Sequence, residues 1–374
     1  MNLSNRSIIL IIGTRPEGIK LAPVYFALKK LGLPVKICAT FQHTSLLQEV
    51  FDLFNIKPDF VFGIMRPNQD LFYITGAVLE NCKQLFTQEN PSLIIVQGDT
   101  TSAMSAALAA FYLKIPVAHV EAGLRTGDIY APFPEELNRQ FISLIAKYNF
   151  APTGMAVDNL KQAGIRHDTI YEVGNTVVDS LKIVLSKIES GDLLIRPELK
   201  KIIKNIYSKK IVLFTMHRRE SFGDKMVIAL STIKEFAKNH PQVTFIYPMH
   251  PNPNVRQAVE QVGLNNCDNI FLIDALPYHE LVYLLNLATC VATDSGGIQE
   301  EAASLGKPVV LLRSETDRPE AVQAGLAWLA GCDPIKINQY LCHALNLPTP
   351  TLTTNIYGDG QSAAKIVEIL KKEF

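Results

Sequence analysis

Excess charge of either sign is absent from this 374-residue chain. The 36 Lys and Arg stand against 36 Asp and Glu, so no global field would recruit a nucleic acid or a membrane surface. Paired cysteines are missing too. Cys38, Cys82, Cys267, Cys290, Cys332 and Cys342 form no CxxC and no paired spacing, which argues against a disulfide framework and reads as reduced thiols, several of them buried. No long apolar run occurs at the N-terminus, where Ile8 to Ile12 is stopped by Gly13 and is too short for a signal or spanning helix. Without HxH, HExxH or a Cys/His cluster of ligand spacing, no metal is expected. Without GxGxxG the dinucleotide fingerprint is absent, and no cofactor is expected. These absences leave a soluble, cytoplasmic α/β protein, with neither nucleic acid nor membrane as partner.

What is present is alternation. At 374 residues the chain is too long for one core and predicts two domains, and its 48% hydrophobic and 19% charged residues are ordinary for globular proteins. In the first half Ser7–Ile12, Val35–Thr40, Leu93–Gln97, Val117–Val120 and Tyr148–Ala151 read as strands, separated by amphipathic stretches such as Pro16–Leu31 and Thr101–Leu113. The pattern begins again around Thr169–Asp179 and continues through Ile211–Thr215, Val243–Tyr247, Ile270–Ile273, Cys290–Thr293 and Pro308–Leu312. This order predicts two Rossmann-like, doubly wound domains facing each other across a cleft, residues 1–172 and 173–356. A last amphipathic helix lies within 357–374, where it can pack back on the first domain.

Several strand ends carry polar loops of distinct character. Gly13–Lys20 (GTRPEGIK) follows the first strand and opens a helix, with Pro16 expected at the first helical position. Its free N–H groups, flanked by Arg15 and Lys20, suit an anion. The second half has a counterpart in Thr293–Glu301 (TDSGGIQEE). There Ser295, Gly296 and Gly297 let backbone amides approach a phosphate, and Glu301 is placed to accept from ribose hydroxyls. His217, followed by Arg218 and Arg219, reads as a ligand contact; His250, hemmed in by prolines, reads equally as a packed histidine. Arg318 is a second candidate for a diphosphate. The same loops also have plain structural readings, as capping serines and first-turn acids.

Five carboxylates, Asp99, Glu121, Asp128, Glu135 and Glu136, gather just after such strands. Asp99 also reads as a helix N-cap, Asp128 as a turn residue, and Glu135 and Glu136 as first-turn acids. Glu121 stands at a strand end that needs no acid. Asp99, Glu121 and Glu135 together are candidates for base, acid and positioning groups around one carbon.

The ordered motifs GTRPEGIK, QGDTTSA, HVEAGLRTGD, PFPEELNRQ, HRRES, PMHPNPNVR, TDSGGIQEEA and DRPEA, from about Ile11 to Gly360, closely resemble the non-hydrolysing UDP-N-acetylglucosamine 2-epimerases. The resemblance implies a GT-B-like pair of domains, a homodimer, and interconversion of UDP-GlcNAc and UDP-ManNAc through UDP elimination, a 2-acetamidoglucal and re-addition of UDP. The product would supply surface polysaccharide. By matching motif it assigns Asp99, Glu121 and Glu135 to acid/base work and His217 to the leaving phosphate. The nucleotide-sugar contacts carried over are Arg15, Lys20, Ser295, Gly296, Gly297, Glu301 and Arg318. Gly18 replaces the usual Ala and should loosen the first helix, and Met216 replaces a smaller residue. Gln42-His43 matches the region where some members bind a second UDP-GlcNAc, but Ser45 and Asn68 replace the Gln and Arg of regulated members, which argues against allosteric activation. The rivals are a 2-epimerase of another UDP-2-acetamido sugar, a hydrolysing 2-epimerase and a GT-B glycosyltransferase.

Overall fold

A computed structural model describes residues 6–41, 44–66, 69–206, 209–348 and 355–373. The chain divides into two compact units, residues 1–182 with 357–374, and residues 183–356.

The first unit runs β1 (Ile8–Ile12), α1 (Arg15–Lys30), β2 (Val35–Ala39), α2 (Thr44–Phe54), β3 (Phe60–Val61), α3 (Leu71–Glu89), β4 (Leu93–Gln97) and α4 (Thr101–Tyr112). It continues through β5 (Val117–Val120), α5 (Glu135–Ile145), β6 (Tyr148–Ala151), α6 (Gly154–Gln162), β7 (Ile170–Glu172) and the first half of α7 (Thr176–Glu189), whose residues from 183 on fall in the second unit. All seven strands pair in parallel, in the order β3-β2-β1-β4-β5-β6-β7. Strands β1 and β4 are buried along their whole length, as unbroken Ile/Leu/Val runs must be when helices cover both faces of a sheet. The order reverses between β1 and β4, and their carboxyl ends open the crevice in which α/β sheets bind ligands.

The second unit follows the same plan. It comprises α8 (Pro197–Asn205), β8 (Lys210–Thr215), α9 (Asp224–Asn239), β9 (Val243–Met249), α10 (Pro253–Val262), β10 (Ile270–Asp274) and α11 (Tyr278–Leu287). Then come β11 (Cys290–Thr293), α12 (Gly296–Ser304), β12 (Val309–Leu311), α13 (Glu320–Gln323), β13 (Ala327–Leu329) and α14 (Pro334–Asn346). Its parallel order is β10-β9-β8-β11-β12-β13, so the switch lies between β8 and β11. The core beneath it packs Phe214, Phe236, Phe245 and Tyr247. Met216 belongs to that core, so its departure from the family pattern is a packing change.

The division falls after Lys182, ten residues beyond the expected boundary at 172. Strand β7 belongs to the first sheet, pairing Asn149 with Ile170, and α7 is tied to the same unit: Ser180 Oγ donates to Ile19 O at 2.6 Å. The Asp179 carboxylate accepts the N–H groups of Ser362 and Ala363 at 3.2 and 3.0 Å, at the start of α15 (Ser362–Leu370). Helix α15 packs on α1. Helix α1 begins at Arg15, one residue before Pro16. Gly18 lies within it. A Cβ there would lie 3.0 Å from both Leu47 and Val50, so the glycine lets α1 sit close to α2. Among the described residues no helix is long and apolar enough to cross a membrane.

Candidate functional site

At the first switch point one buried carboxylate joins the loops after β1 and β4. Glu17, in the first turn of α1, accepts from Gly13 N at 2.8 Å, Thr14 N at 2.6 Å and Thr100 Oγ1 at 2.6 Å. It is 1% exposed, and burial pushes its pKa above the ordinary value against the opposing pull of Thr100 and the two backbone donors. Gly13 has no room for a side chain: a Cβ would lie 2.8 Å from Thr40 Oγ1 and 3.0 Å from Ser102 Cβ. Half-buried Arg15 stands at the helix start.

Glu121 directly follows β5 with φ +67°, a left-handed conformation that costs a residue with a Cβ about 1–2 kcal/mol. Its carboxylate is almost fully enclosed. Oε1 pairs with Lys20 Nζ and accepts from Asn175 Nδ2 at 3.0 Å, while Oε2 accepts from Gln97 Nε2. Lys20, expected at the phosphates, therefore has Glu121 as a partner. Beneath this group His119 is fully buried between Gly98 O and Ser143 Oγ, and burial lowers its pKa to about 4, so the ring is neutral.

Asp99 is not a helix cap, because Thr100 Oγ1 accepts the Ala103 N–H and fills that role. The Asp99 carboxylate meets Arg139 Nη2 at 3.0 Å, and Asn138 Nδ2 donates to its backbone carbonyl. Arg139 also approaches Glu136, at 3.6 Å. Glu136 is wholly buried and accepts from Thr126 N and Gln140 Nε2, which makes it a brace for the loop after β5. Asp128 accepts from Tyr130 N within the same loop, as a turn residue does. Half-buried Glu135 is the first residue of α5, and its side chain has no hydrogen bond or ion pair among the described residues. Lys20, Gln97, Glu121 and Asn175 are thus one cluster and Asp99, Glu136 and Arg139 another, with Glu135 on the helix that carries Arg139.

In the second unit the joining carboxylate is Asp294. Its Oδ2 accepts from both His217 N and Arg218 N at 2.8 Å, tying the loop after β11 to the loop after β8. Its Oδ1 lies 3.4 Å from His217 Nδ1. Thr215 and Thr293, at the ends of those strands, share a 2.6 Å hydroxyl contact. His250 stacks on His217, ring centroids 5.5 Å apart, and partial burial with the neighbouring imidazole lowers its pKa. Ser295 caps α12, accepting from Ile298 N. At Gly296 a Cβ would lie 2.6 Å from Arg318 Nη1, so any side chain there would displace the guanidinium. At Gly297 a Cβ would meet nothing within 4 Å. Arg318 is fixed by Glu300 at 2.8 Å and Asp317 at 2.7 Å, and Arg313 lies 3.7 Å from the same Asp317. Glu301 is buried on α12, beyond the cap. These loops gather basic groups around the amino end of α12, an arrangement that suits a diphosphate.

Glu17, Gln97, Asn175, Asp294 and Glu300 are positioning groups that sequence reasoning passed over. All but Asn175 lie inside the recognised motifs, but only folding reveals their partners. Gln42, His43, Asn68 and the Ser45 side chain, on which the expectation about a second UDP-GlcNAc rests, lie outside the described residues.

A family model described as UDP-N-acetylglucosamine 2-epimerase matches residues 27–371. The UDP-N-acetylglucosamine 2-epimerase of Yersinia pestis is 44% identical over 374 residues, covering 97% of this chain and 98% of its own length. Among solved structures, a UDP-GlcNAc 2-epimerase from Neisseria meningitidis bound to UDP-GlcNAc is similar with TM-score 0.89 and 39% identity, over 98% of this chain and 100% of that one. The UDP-GlcNAc 2-epimerase from Methanocaldococcus jannaschii, in complex with UDP-GlcNAc and UDP, gives TM-score 0.84 and 32% identity over 98% and 99%.

Proposed function

This chain belongs to the UDP-N-acetylglucosamine 2-epimerase family, and on that premise we propose that it interconverts UDP-GlcNAc and UDP-ManNAc without hydrolysis. The C2 proton of the sugar is not acidic, since no adjacent carbonyl stabilises a carbanion. Breaking the C1–O bond solves this: UDP leaves with the bonding pair, a carboxylate takes the C2 proton, and a C1=C2 double bond forms. The resulting 2-acetamidoglucal then regains UDP at C1 and a proton at C2 from the other face. Asp99, Glu121 and Glu135 are the proton-transfer groups in this reading. His217 acts on the leaving diphosphate. Arg15, Lys20, Ser295, Gly296, Gly297, Glu301 and Arg318 contact the nucleotide sugar. The observation that carries the reading is Glu121, whose carboxylate is held by Lys20, Gln97 and Asn175 on a left-handed backbone that a structural acid would not need.

The working form in this reading is a homodimer, supported by apolar side chains left exposed on neighbouring helices, Phe111 and Tyr112 of α4 and Leu137 and Leu144 of α5. Its product feeds transferases that build surface polysaccharide. Incubation with UDP-GlcNAc in D2O, followed by NMR at C2, tests the reaction. Deuterium at C2 of UDP-ManNAc is expected. Absence of exchange overturns the reading, and free ManNAc accumulating with UDP replaces it with a hydrolysing enzyme.

A further inference from the structure

We infer that Asp294 is a positioning residue that grips His217 through Nδ1 and so fixes the ring orientation and tautomer presenting Nε2 to the ligand. The inference rests on the role proposed for His217. Asp294 is fully buried, and its two oxygens have different surroundings. Oδ2 is saturated by the backbone N–H groups of His217 and Arg218. Oδ1 is buried with no hydrogen-bond partner, yet His217 Nδ1 stands 3.4 Å away, just beyond hydrogen-bond length. A buried carboxylate oxygen left unpaired is costly, and a small rotation of the imidazole would satisfy it. His250 stacks on the same ring, with the two planes 14° apart.

The same carboxylate therefore sets the loop by one oxygen and the side chain by the other. With Nδ1–H directed at Asp294, Nε2 is free to take and return a proton, and the carboxylate stabilises the imidazolium formed when it does. Around the pair, Arg218 stands on His217's own loop and His250 faces the ring from the loop after β9, while Tyr247 and Cys332 lie within reach of the Asp294 charge.

Asp294→Asn separates the two duties. The Asn carbonyl can still accept both backbone N–H groups, but its NH2 then faces Nδ1 and forces that nitrogen to accept. Nitrogen-15 NMR of histidine-labelled full-length protein, with His217 assigned by its loss in His217→Gln, should show Nδ1–H in the wild type and Nε2–H in Asp294→Asn. Turnover should fall about tenfold or more, with KM and UDP affinity within about twofold. An unchanged tautomer, or unchanged kcat in the folded Asn variant, overturns the inference. The wild-type spectrum alone overturns it if the neutral ring carries its proton on Nε2. The tautomer is read on UDP-saturated protein, so a wild type inactive in C2 exchange would sink the proposed reaction separately.

Discussion

Each unit of this molecule solves the same mechanical problem with one buried acid, and the two acids are used differently. A switch point leaves two loops side by side with no strand pairing to hold them. In the first unit Glu17 bridges them from within a helix turn, and the residues proposed for chemistry, Glu121 and Asp99, have their own separate supports. In the second unit Asp294 bridges them from a loop, and one of the loops it fixes carries His217 itself. Support and chemistry are separate in one half and combined in the other. Damage to Glu17 should thus appear mainly as lost stability, and damage to Asp294 mainly as lost turnover.

The largest effect should come from a residue that bears chemistry but no frame. Glu121→Gln should lower C2 exchange by about 10²–10⁴-fold while UDP binding, measured by calorimetry, stays nearly intact. Loss of UDP affinity instead would make Glu121 part of the nucleotide site. Glu17→Ala leaves the Gly13 and Thr14 N–H groups without their acceptor and should cost about 1–3 kcal/mol in denaturant unfolding. The pH dependence sharpens this. Burial raises the folded pKa of Glu17 above its unfolded value, so the stability from its protonated form is present below the unfolded pKa and is lost as pH rises through the folded one. The wild type should therefore lose stability relative to Glu17→Gln across that interval, and parallel curves would dismiss the carboxyl as the cause. Gly296→Ala drives a methyl into the Arg318 guanidinium and should weaken UDP binding by about tenfold, near 1.4 kcal/mol. Smallest is Gly18→Ala. A helix-propensity gain of about 1 kcal/mol is opposed by crowding at Leu47 and Val50, so the net change in melting should stay below that figure.

Central strands were legible because burial on both faces demands unbroken apolar runs, and β1, β4, β5, β8 and β11 carry them. Strands β3 and β13 escaped, and β7 was not separated from the stretch Thr169–Asp179 where the pattern was read as beginning again. These are two- or three-residue strands, all three at sheet edges, partly exposed and without a pattern of their own. The motif loops announced themselves by placing acids, glycines and arginines where a strand ends. Their supports did not, since each depends on a distant partner: Glu17 with Thr100, Asn175 with Glu121, Asp294 with His217. Pairings across 83, 54 and 77 residues leave no local mark, and a buried acid in a first helical turn looks like an ordinary dipole-compensating one.

The packing of α15 on α1 has a consequence for the order of synthesis. The helix that begins at the Gly13–Lys20 loop is covered by residues translated only after all of 183–356. At ~5–20 residues per second, its apolar face waits about ten seconds or more for its cover, during which the second unit can already complete its own sheet. The unit begun first is thus finished after the second.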